Sequence, residues 1–289
     1  MPITRTKNFR YFVEYVFVRA LVGATKLLPF QQRVKIGGMV VGALISNLKS
    51  PRRRIKQNLL KVYPDLTQQE VDGIIKAIGR NFGRSFIEIL NNDTYHEHPE
   101  LLHASGPGIA ALHDAKSRGK GAIIVSGHFG QWDGARHFLK SQGMEIGAIY
   151  RPSNNYYFDR LFVPQVKNAG KPAFPSGRSG TAEMVRHVRR GGMVAILTDQ
   201  RFAGGEMLDF MGRLAKTSTA AATIALKYGI PMVPVYGIRR EGSLDVDIVF
   251  EAPIPHTDPF TMTQAANDSL AVQVRRNPGQ WYWLHNRWN

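Results

Sequence analysis

Short apolar runs alternate with helical stretches in the second half of the chain, and this alternation constrains the fold more than any other feature. The apolar runs have the length of buried strands and lie at residues 122–126, 145–150, 193–198 and 232–238. Helical candidates lie between them, at residues 131–141, 157–166, 181–190 and 218–228. Strands that alternate with helices form a mostly parallel sheet covered on both faces. The sequence therefore predicts an α/β domain, with residues 244–250 as an additional antiparallel edge strand.

The first 61 residues differ from the rest of the chain in charge. They contain thirteen Lys and Arg and one acid, Glu14, and so carry +12 of the chain's formal net charge of +16. Large apolar residues lie between these cations, and residues 36–48 form a charge-free run. Such a segment suits an anionic membrane surface, although a membrane span prefers about twenty apolar residues. We expect residues 1–61 to attach the chain to a membrane, by spanning it or by lying in its interface; a soluble helical hairpin is the alternative.

A basic cluster and a helix start mark the end of this segment. The cluster, at residues 51–56, suits the anionic cytoplasmic leaflet of a membrane, and a solvated helix face is the alternative. Thr67 and Glu70 then form a capping box that opens a helix with one apolar face. We therefore divide the chain into a basic, apolar attachment segment, residues 1–61, and a single α/β domain, residues 62–289.

The absence of Cys limits the chemistry that the chain can perform. It excludes disulfides, thiolate metal sites and a cysteine nucleophile. His and acidic residues also show no convincing metal-ligand spacing. The sequence therefore predicts no metal and no cofactor.

The segment after the first predicted strand contains the main catalytic candidates. Ligands of open α/β sheets bind at the carboxyl ends of the strands. His128 and Asp133 lie there, at a junction between a strand and a helix. We expect Asp133 to accept a hydrogen bond from one imidazole nitrogen, which leaves the other nitrogen as a general base. The alternative is a structural histidine near the core.

Polar and charged residues also follow the other predicted strands. Arg151 comes after the second strand, Arg178 opens a helix after a loop rich in Gly and Pro, and Asp199, Gln200 and Arg201 follow the third strand. Guanidinium groups and helix starts bind anions, and an arginine can also stabilise an oxyanion. Asp199 and its neighbours could orient the base or hold substrate hydroxyls. We predict these five as substrate-binding residues; the alternative is a surface loop with local hydrogen bonds.

The C-terminal tail is unusually aromatic. Residues 281–288 contain three of the four Trp of the chain, together with His285 and Arg287. Aromatic residues of this kind can form a lid on a core or a belt at a membrane interface. We expect packing against the core, with partial membrane contact as the second possibility.

These motifs occur in an order that resembles a known family. The chain reads NLL at 58–60 and YP at 63–64, then HFGQWD at 128–133, YRP at 150–152, DQ at 199–200, PMVP at 231–234 and WYWLHNRW at 281–288. From about residue 10 to the C-terminus it resembles the late acyltransferases of lipid A biosynthesis, the lauroyl/myristoyl transferase family. The wider superfamily is the glycerolipid acyltransferases, which share the His-x4-Asp motif.

The resemblance implies a fold, a location and a reaction. It implies a glycerolipid-acyltransferase-like α/β fold, attached to the cytoplasmic face of the bacterial inner membrane. The implied donor is an acyl-carrier-protein thioester, and the implied acceptor is a hydroxyl of a phosphorylated lipid A precursor in lipopolysaccharide biosynthesis. His128 matches the family's catalytic base and Asp133 its partner, while Arg151 and Asp199-Gln200 match substrate-binding or supporting positions. Many lipid A members carry Glu at the position of Asp133. At this one position the chain instead resembles the glycerolipid branch, which carries Asp.

The implied mechanism is direct acyl transfer. His128 would take the proton of the acceptor hydroxyl, which attacks the thioester, while backbone amides near Gly130 or an arginine stabilise the oxyanion. Alternative functions are acyl transfer to a glycerophosphate or an inositol mannoside, and a non-enzymatic protein that binds anionic membranes. Coenzyme A is the alternative donor carrier. Nucleic acid is not an expected partner, because large apolar residues surround the cations.

Overall fold

Seven of nine strands form a central sheet in the computed structural model, which describes residues 5–91, 95 and 97–288. The strands, in chain order, are β1 (Leu102–Ser105), β2 (Ala122–Ser126), β3 (Ile146–Tyr150), β4 (Ala173–Pro175), β5 (Met193–Leu197), β6 (Glu206–Phe210), β7 (Arg213–Thr217), β8 (Met232–Arg239) and β9 (Val246–Phe250). The central sheet has the order β1-β9-β8-β2-β5-β3-β4, and β6 pairs with β7 in a separate hairpin.

The central sheet is parallel except at one junction. Only β8 and β9 are antiparallel neighbours; β8, β2, β5, β3 and β4 all run in the same direction. Their carboxyl ends therefore lie on one edge of the sheet. The predicted mostly parallel sheet, flanked by helices, is confirmed, as are the four predicted strands at the centre of this sheet.

Ten α-helices accompany the strands in the described residues. They are α1 (Arg5–Thr25), α2 (Phe30–Asn47), α3 (Lys49–Val62), α4 (Gln68–Ile89), α5 (Gly108–Ser117), α6 (Gly134–Ser141), α7 (Tyr156–Ala169), α8 (Arg178–Arg189), α9 (Ala220–Tyr228) and α10 (Pro259–Arg276). The predicted capping box begins α4: the Glu70 N–H donates to Thr67 Oγ1, and the Thr67 N–H donates to the Glu70 carboxylate. Residues 1–4, 92–94, 96 and 289 lie outside the described residues.

Two parts of the sheet differ from the prediction. Residues 246–250 do form a strand antiparallel to β8, but it is not an edge strand, because β1 pairs with its other side. The sequence missed β1 because only Leu102 of its four residues is buried. No strand was predicted within residues 202–216. Most of them form the β6–β7 hairpin, whose Phe210 and Ala215 pack into the core.

Glycines bring α2 into close contact with α4. A Cβ atom at Gly79 would lie 2.8 Å from Cα of Gly42, and one at Gly83 would lie 2.6 Å from the carbonyl oxygen of Gly37. The two helices can approach this closely only because these positions lack side chains. Helix α2, which belongs to residues 1–61, thus packs directly on α4 of the predicted α/β domain. The division of the chain after residue 61 stays a prediction.

Large apolar side chains are exposed on both α1 and α2, beside exposed cations such as Arg10 and Lys35. On α1 the exposed apolar side chains recur at helical spacing and are those of Phe9, Phe12, Val13, Val16 and Phe17. On α2 they are those of Ile36, Met39, Val40 and Leu44. Among the described residues, no helix combines the length and the hydropathy that crossing a membrane requires. Attachment of this segment to a membrane stays a prediction.

Candidate active site

His128 and Asp199 meet at the carboxyl edge of the sheet. His128 follows β2 and Asp199 follows β5, and these two strands are direct neighbours, with Ser126 paired to Leu197. The imidazole Nδ1 lies 2.8 Å from Asp199 Oδ1, and the backbone N–H of His128 donates to Asp199 Oδ2 at the same distance. The parallel pairing of the two strands therefore positions the ring and its carboxylate partner together.

The Asp199 carboxylate is almost fully buried, with 3% of its side chain exposed. The indole Nε1–H of Trp281 donates to its Oδ2 at 2.9 Å, which adds to the two bonds from His128. Burial alone raises the pKa of Asp199, but the charge of His128 and these donors outweigh it and lower the pKa to about 2. The carboxylate is therefore ionised at neutral pH.

His128 is oriented to act as a base through its other nitrogen. Because the ionised Asp199 accepts the hydrogen bond from Nδ1–H, the lone pair is on Nε2. Burial lowers the pKa of His128, but the charge and the hydrogen bond of Asp199 outweigh it, and the net direction is upward. The side chain remains 26% exposed, and no described residue forms a hydrogen bond with Nε2. A base with an accessible nitrogen can accept a proton from a substrate.

Asp133 has a different partner from the one that the sequence predicted. Its Oδ1 lies 2.7 Å from Nη1 of the buried Arg136, which also donates to three backbone carbonyls. Asp133 immediately precedes α6, so the side chain three residues later lies beside it. The predicted hydrogen bond between Asp133 and the imidazole is therefore wrong, because a buried guanidinium requires this carboxylate as its countercharge. A catalytic role for Asp133 stays a prediction.

The loop after β2 is held by its own backbone. Gly130 has φ +53°, and its N–H donates to the carbonyl of Gln280 at 2.8 Å, while the Gln131 N–H donates to the carbonyl of Gly237. A Cβ atom at Gly130 would lie 1.9 Å from the Gly237 oxygen, so only glycine fits. The expectation that amides near Gly130 stabilise an oxyanion fails for the Gly130 and Gln131 amides, which are already bonded.

A buried ion pair supports this loop from the side of α4. Arg239 donates to both carboxylate oxygens of Glu88 and to the Oδ1 of Asn81, and both ion-pair partners are fully buried. Glu88 in turn accepts a bond from the Gln131 amide at 3.1 Å. Burial raises the pKa of Glu88, but Arg239 lowers it overall, so the pair stays charged. No sequence pattern predicts this pair, because its members are 151 residues apart.

Four other predicted substrate-binding residues lie on the same edge and are exposed. Arg151 follows β3, Arg178 begins α8 after β4, and Gln200 and Arg201 follow β5. The backbone N–H of Arg201 donates to Nε2 of His285 at 2.9 Å, which ties this loop to the C-terminal tail. The fold thus brings three guanidinium-bearing residues to the edge that holds His128. Their binding roles stay predictions.

The aromatic tail packs against the core, as expected, and also completes the site. Trp281 and Trp283 are buried, and the backbone N–H of Tyr282 donates to the carbonyl of His128 at 3.0 Å. The sequence analysis did not identify Trp281 as a partner of Asp199. The only feature that could have indicated it is the indole N–H, a hydrogen-bond donor in an otherwise aromatic tail. Within the described residues, no group of three His, Asp or Glu side chains is arranged to hold a metal ion.

A histidine base held by a buried carboxylate, at the carboxyl edge of an α/β sheet, is typical of an enzyme that activates a hydroxyl group. The chain belongs to the bacterial lipid A biosynthesis acyltransferase family, whose sequence model matches residues 3–289. It is therefore an O-acyltransferase, and its acceptor is a lipid.

Curated relatives cover most of the chain. It is 25% identical to a lipid A biosynthesis acyltransferase of Haemophilus influenzae, over 89% of this chain and 81% of the relative. It is 21% identical to a phosphatidylinositol mannoside acyltransferase of Mycobacterium tuberculosis, over 81% and 76% of the two chains. The corresponding protein of Mycolicibacterium smegmatis is 22% identical, over 81% and 79%.

The Asp133–Arg136 pair predicts a stability defect. Asp133→Asn leaves the buried guanidinium without its countercharge, and we expect a loss of about 3 kcal/mol in the free energy of unfolding. Urea-induced unfolding, followed by circular dichroism, measures the change.

Asp114→Asn is the matched control. Asp114 pairs with Arg118 across one helical turn, but both side chains are more than half exposed, so its loss should change stability by only about 0.5 kcal/mol. Equal effects of the two substitutions would contradict the structural role of Asp133.

Proposed function

We propose that the chain transfers a fatty acyl group from an acyl-carrier-protein thioester to a hydroxyl of a phosphorylated lipid A precursor. The observation that carries the chemistry is the accessible Nε2 of His128, whose ring is fixed through Nδ1 by Asp199. The family and the Haemophilus influenzae relative support this acceptor. The carrier-protein donor rests on the resemblance of the sequence to the late acyltransferases.

His128 is the general base in this proposal. Nε2 takes the proton of the acceptor hydroxyl as the hydroxyl oxygen attacks the thioester carbonyl carbon. Asp199 stabilises the imidazolium that forms, because its carboxylate already accepts the Nδ1–H bond. When the tetrahedral intermediate collapses, the carbon–sulfur bond breaks and the proton on Nε2 passes to the leaving thiolate. No covalent enzyme intermediate forms.

An arginine is the proposed stabiliser of the oxyanion. The Gly130 amide is bonded to Gln280, and the Gln131 amide to Gly237, so neither points to a developing negative charge. Arg151, Arg178 and Arg201 are exposed on the edge that holds His128. A guanidinium group can also bind the phosphates of the acceptor.

We further propose that α1 and α2 hold the enzyme on the cytoplasmic face of the bacterial inner membrane. The exposed apolar side chains of both helices, combined with the +12 charge of residues 1–61, suit an anionic lipid surface. A lipid acceptor then reaches the site from the membrane to which the enzyme is bound.

A phosphatidylinositol mannoside is the second candidate acceptor. Two mycobacterial relatives with this activity in their names match about four-fifths of the chain. This acceptor is also a phosphorylated lipid with free hydroxyls, so the same site chemistry would apply.

Mass spectrometry of reaction mixtures tests the reaction and the acceptor. Detergent-purified enzyme is given carrier-protein or coenzyme A thioesters and one of three acceptors: a tetra-acylated lipid A precursor, a phosphatidylinositol mannoside or a glycerophosphate. We expect one added acyl mass on the lipid A precursor with the carrier-protein donor. His128→Ala should reduce the rate by about 10²–10⁴-fold, because it removes the base.

His113→Ala is the control for this experiment, since His113 is exposed on α5. It should retain wild-type activity. Full activity of His128→Ala would contradict the mechanism, and an added mass only on another acceptor would contradict the lipid A assignment.

The membrane proposal predicts a loss of binding when the face of α1 becomes polar. Phe9 and Phe17 are 70% and 69% exposed, so Phe9→Ser/Phe17→Ser should change stability little. In flotation with vesicles of phosphatidylglycerol and phosphatidylcholine, we expect the double variant to lose most of its binding. Phe260→Ser removes a similarly exposed ring from α10 and should float like the wild type; an unchanged double variant would contradict the proposal.

A further inference from the structure

A large cationic cavity lies beside the candidate active site and has no role in the proposed reaction. It has a volume of about 1030 Å³ and lies between α2, α4 and the turn that connects β8 to β9. Gln280 lines this cavity, and its backbone carbonyl accepts a hydrogen bond from the Gly130 N–H. Gly130 lies in the loop after β2 that also contains His128, which we call the catalytic loop. Gln280 therefore connects the lining of the cavity to the catalytic loop.

The charges that line the cavity are not balanced by the protein. Lys35, Arg80 and Arg84 line it, and none of the three forms an ion pair with another described residue. Glu241 at the rim is also unpaired within the described chain. Asp245 also lines the cavity, so three cations face two carboxylates. The net charge of this set is positive, and the cavity attracts anions.

The two other arginines that line the cavity are already neutralised. Arg240 pairs with Asp247 at 2.6 Å. Arg239 is paired with the buried Glu88. The unbalanced charge therefore comes from α2 and α4 rather than from the β8–β9 turn.

Arg84 shows most clearly that a partner is missing. Its Nη2 donates to the carbonyl of Ser243 at 2.8 Å, but its buried Nε has no hydrogen-bond partner among the described residues. Burial and the neighbouring Arg239 lower its pKa. Polar groups of this kind are normally satisfied. The Arg84 side chain as a whole is half-buried and lines the cavity, and an anion there would balance its charge.

The apolar surface next to the cavity indicates that the anion is part of an amphiphile. Met39 lines the cavity and is half-exposed, and it continues into the exposed face of α2 that carries Ile36, Val40 and Leu44. A phosphate group in the cavity would leave the acyl chains of the same molecule along this face. The cavity is also large enough for a whole headgroup.

We propose that this cavity binds the phosphate-bearing headgroup of an anionic lipid, at a site separate from the one that contains His128. Arg80, Arg84 and Lys35 supply the positive charge, and the outer face of α2 contacts the acyl chains. The bound lipid would hold α2 and α4 at the membrane surface, next to Gln280 and the catalytic loop that it contacts.

Calorimetric binding of two probes to the detergent-purified chain tests the proposal. The probes are dihexanoyl phosphatidylglycerol, which is soluble as a monomer, and inorganic phosphate. We expect the lipid to bind about tenfold more tightly than phosphate, because only the lipid also contacts α2. Arg80→Gln and Arg84→Gln should each weaken lipid binding by about tenfold, and Glu241→Gln should strengthen it.

Two controls separate this site from other effects. Arg190→Gln removes an exposed cation at the end of α8, away from the cavity, and should bind like the wild type. His128→Ala should also bind normally, so the result is independent of the proposed acyl transfer. Arg80 is exposed, so Arg80→Gln remains informative if Arg84→Gln fails to fold.

Two results would overturn the proposal. If Arg80→Gln binds the lipid as the wild type does, or the wild type binds neither probe, the cavity is not an anion site. If phosphate binds as tightly as the lipid, the lipid assignment is wrong.

Discussion

The buried carboxylate of Asp199 is the constraint on which the site depends. It accepts bonds from the backbone and the ring of His128 and from the indole of Trp281, and so joins three distant segments of the chain. Removing a carboxylate from water is costly unless such donors surround it. The adjacent strands β2 and β5 and the C-terminal tail must therefore be in place together before His128 has a fixed tautomer.

The two acidic residues of the site have different roles because their surroundings differ. Asp133 neutralises Arg136 and fixes the start of α6, whereas Asp199 directs the imidazole. A second buried pair, Glu88 with Arg239, supports the loop after β2 from the side of α4. Charges buried in the fold thus set the geometry, while exposed arginines on the same edge remain available for a phosphorylated lipid.

The sequence predicted what depends on local pattern and missed what depends on strand order. Continuous apolar runs located β2, β3, β5 and β8, and the position after β2 identified His128. Asp199 was considered as a residue that could orient the base, but it could not be preferred to Asp133, because nothing in the sequence places β5 beside β2. Asp133 is only five residues from His128 and was therefore predicted to be its partner. The sequence did not indicate that Arg136 is buried and takes this carboxylate as its countercharge. The pairing of β6 with β7 was not predicted, because glycines and charged residues interrupt the apolar pattern of these two strands.

A nuclear magnetic resonance titration of the His128 ring tests most directly whether Asp199, rather than Asp133, controls the base. The wild type is compared with Asp199→Asn and Asp133→Asn. We predict that Asp199→Asn lowers the pKa of His128, because it removes the adjacent charge, and that Asp133→Asn changes it much less. A larger shift in Asp133→Asn than in Asp199→Asn would contradict the account.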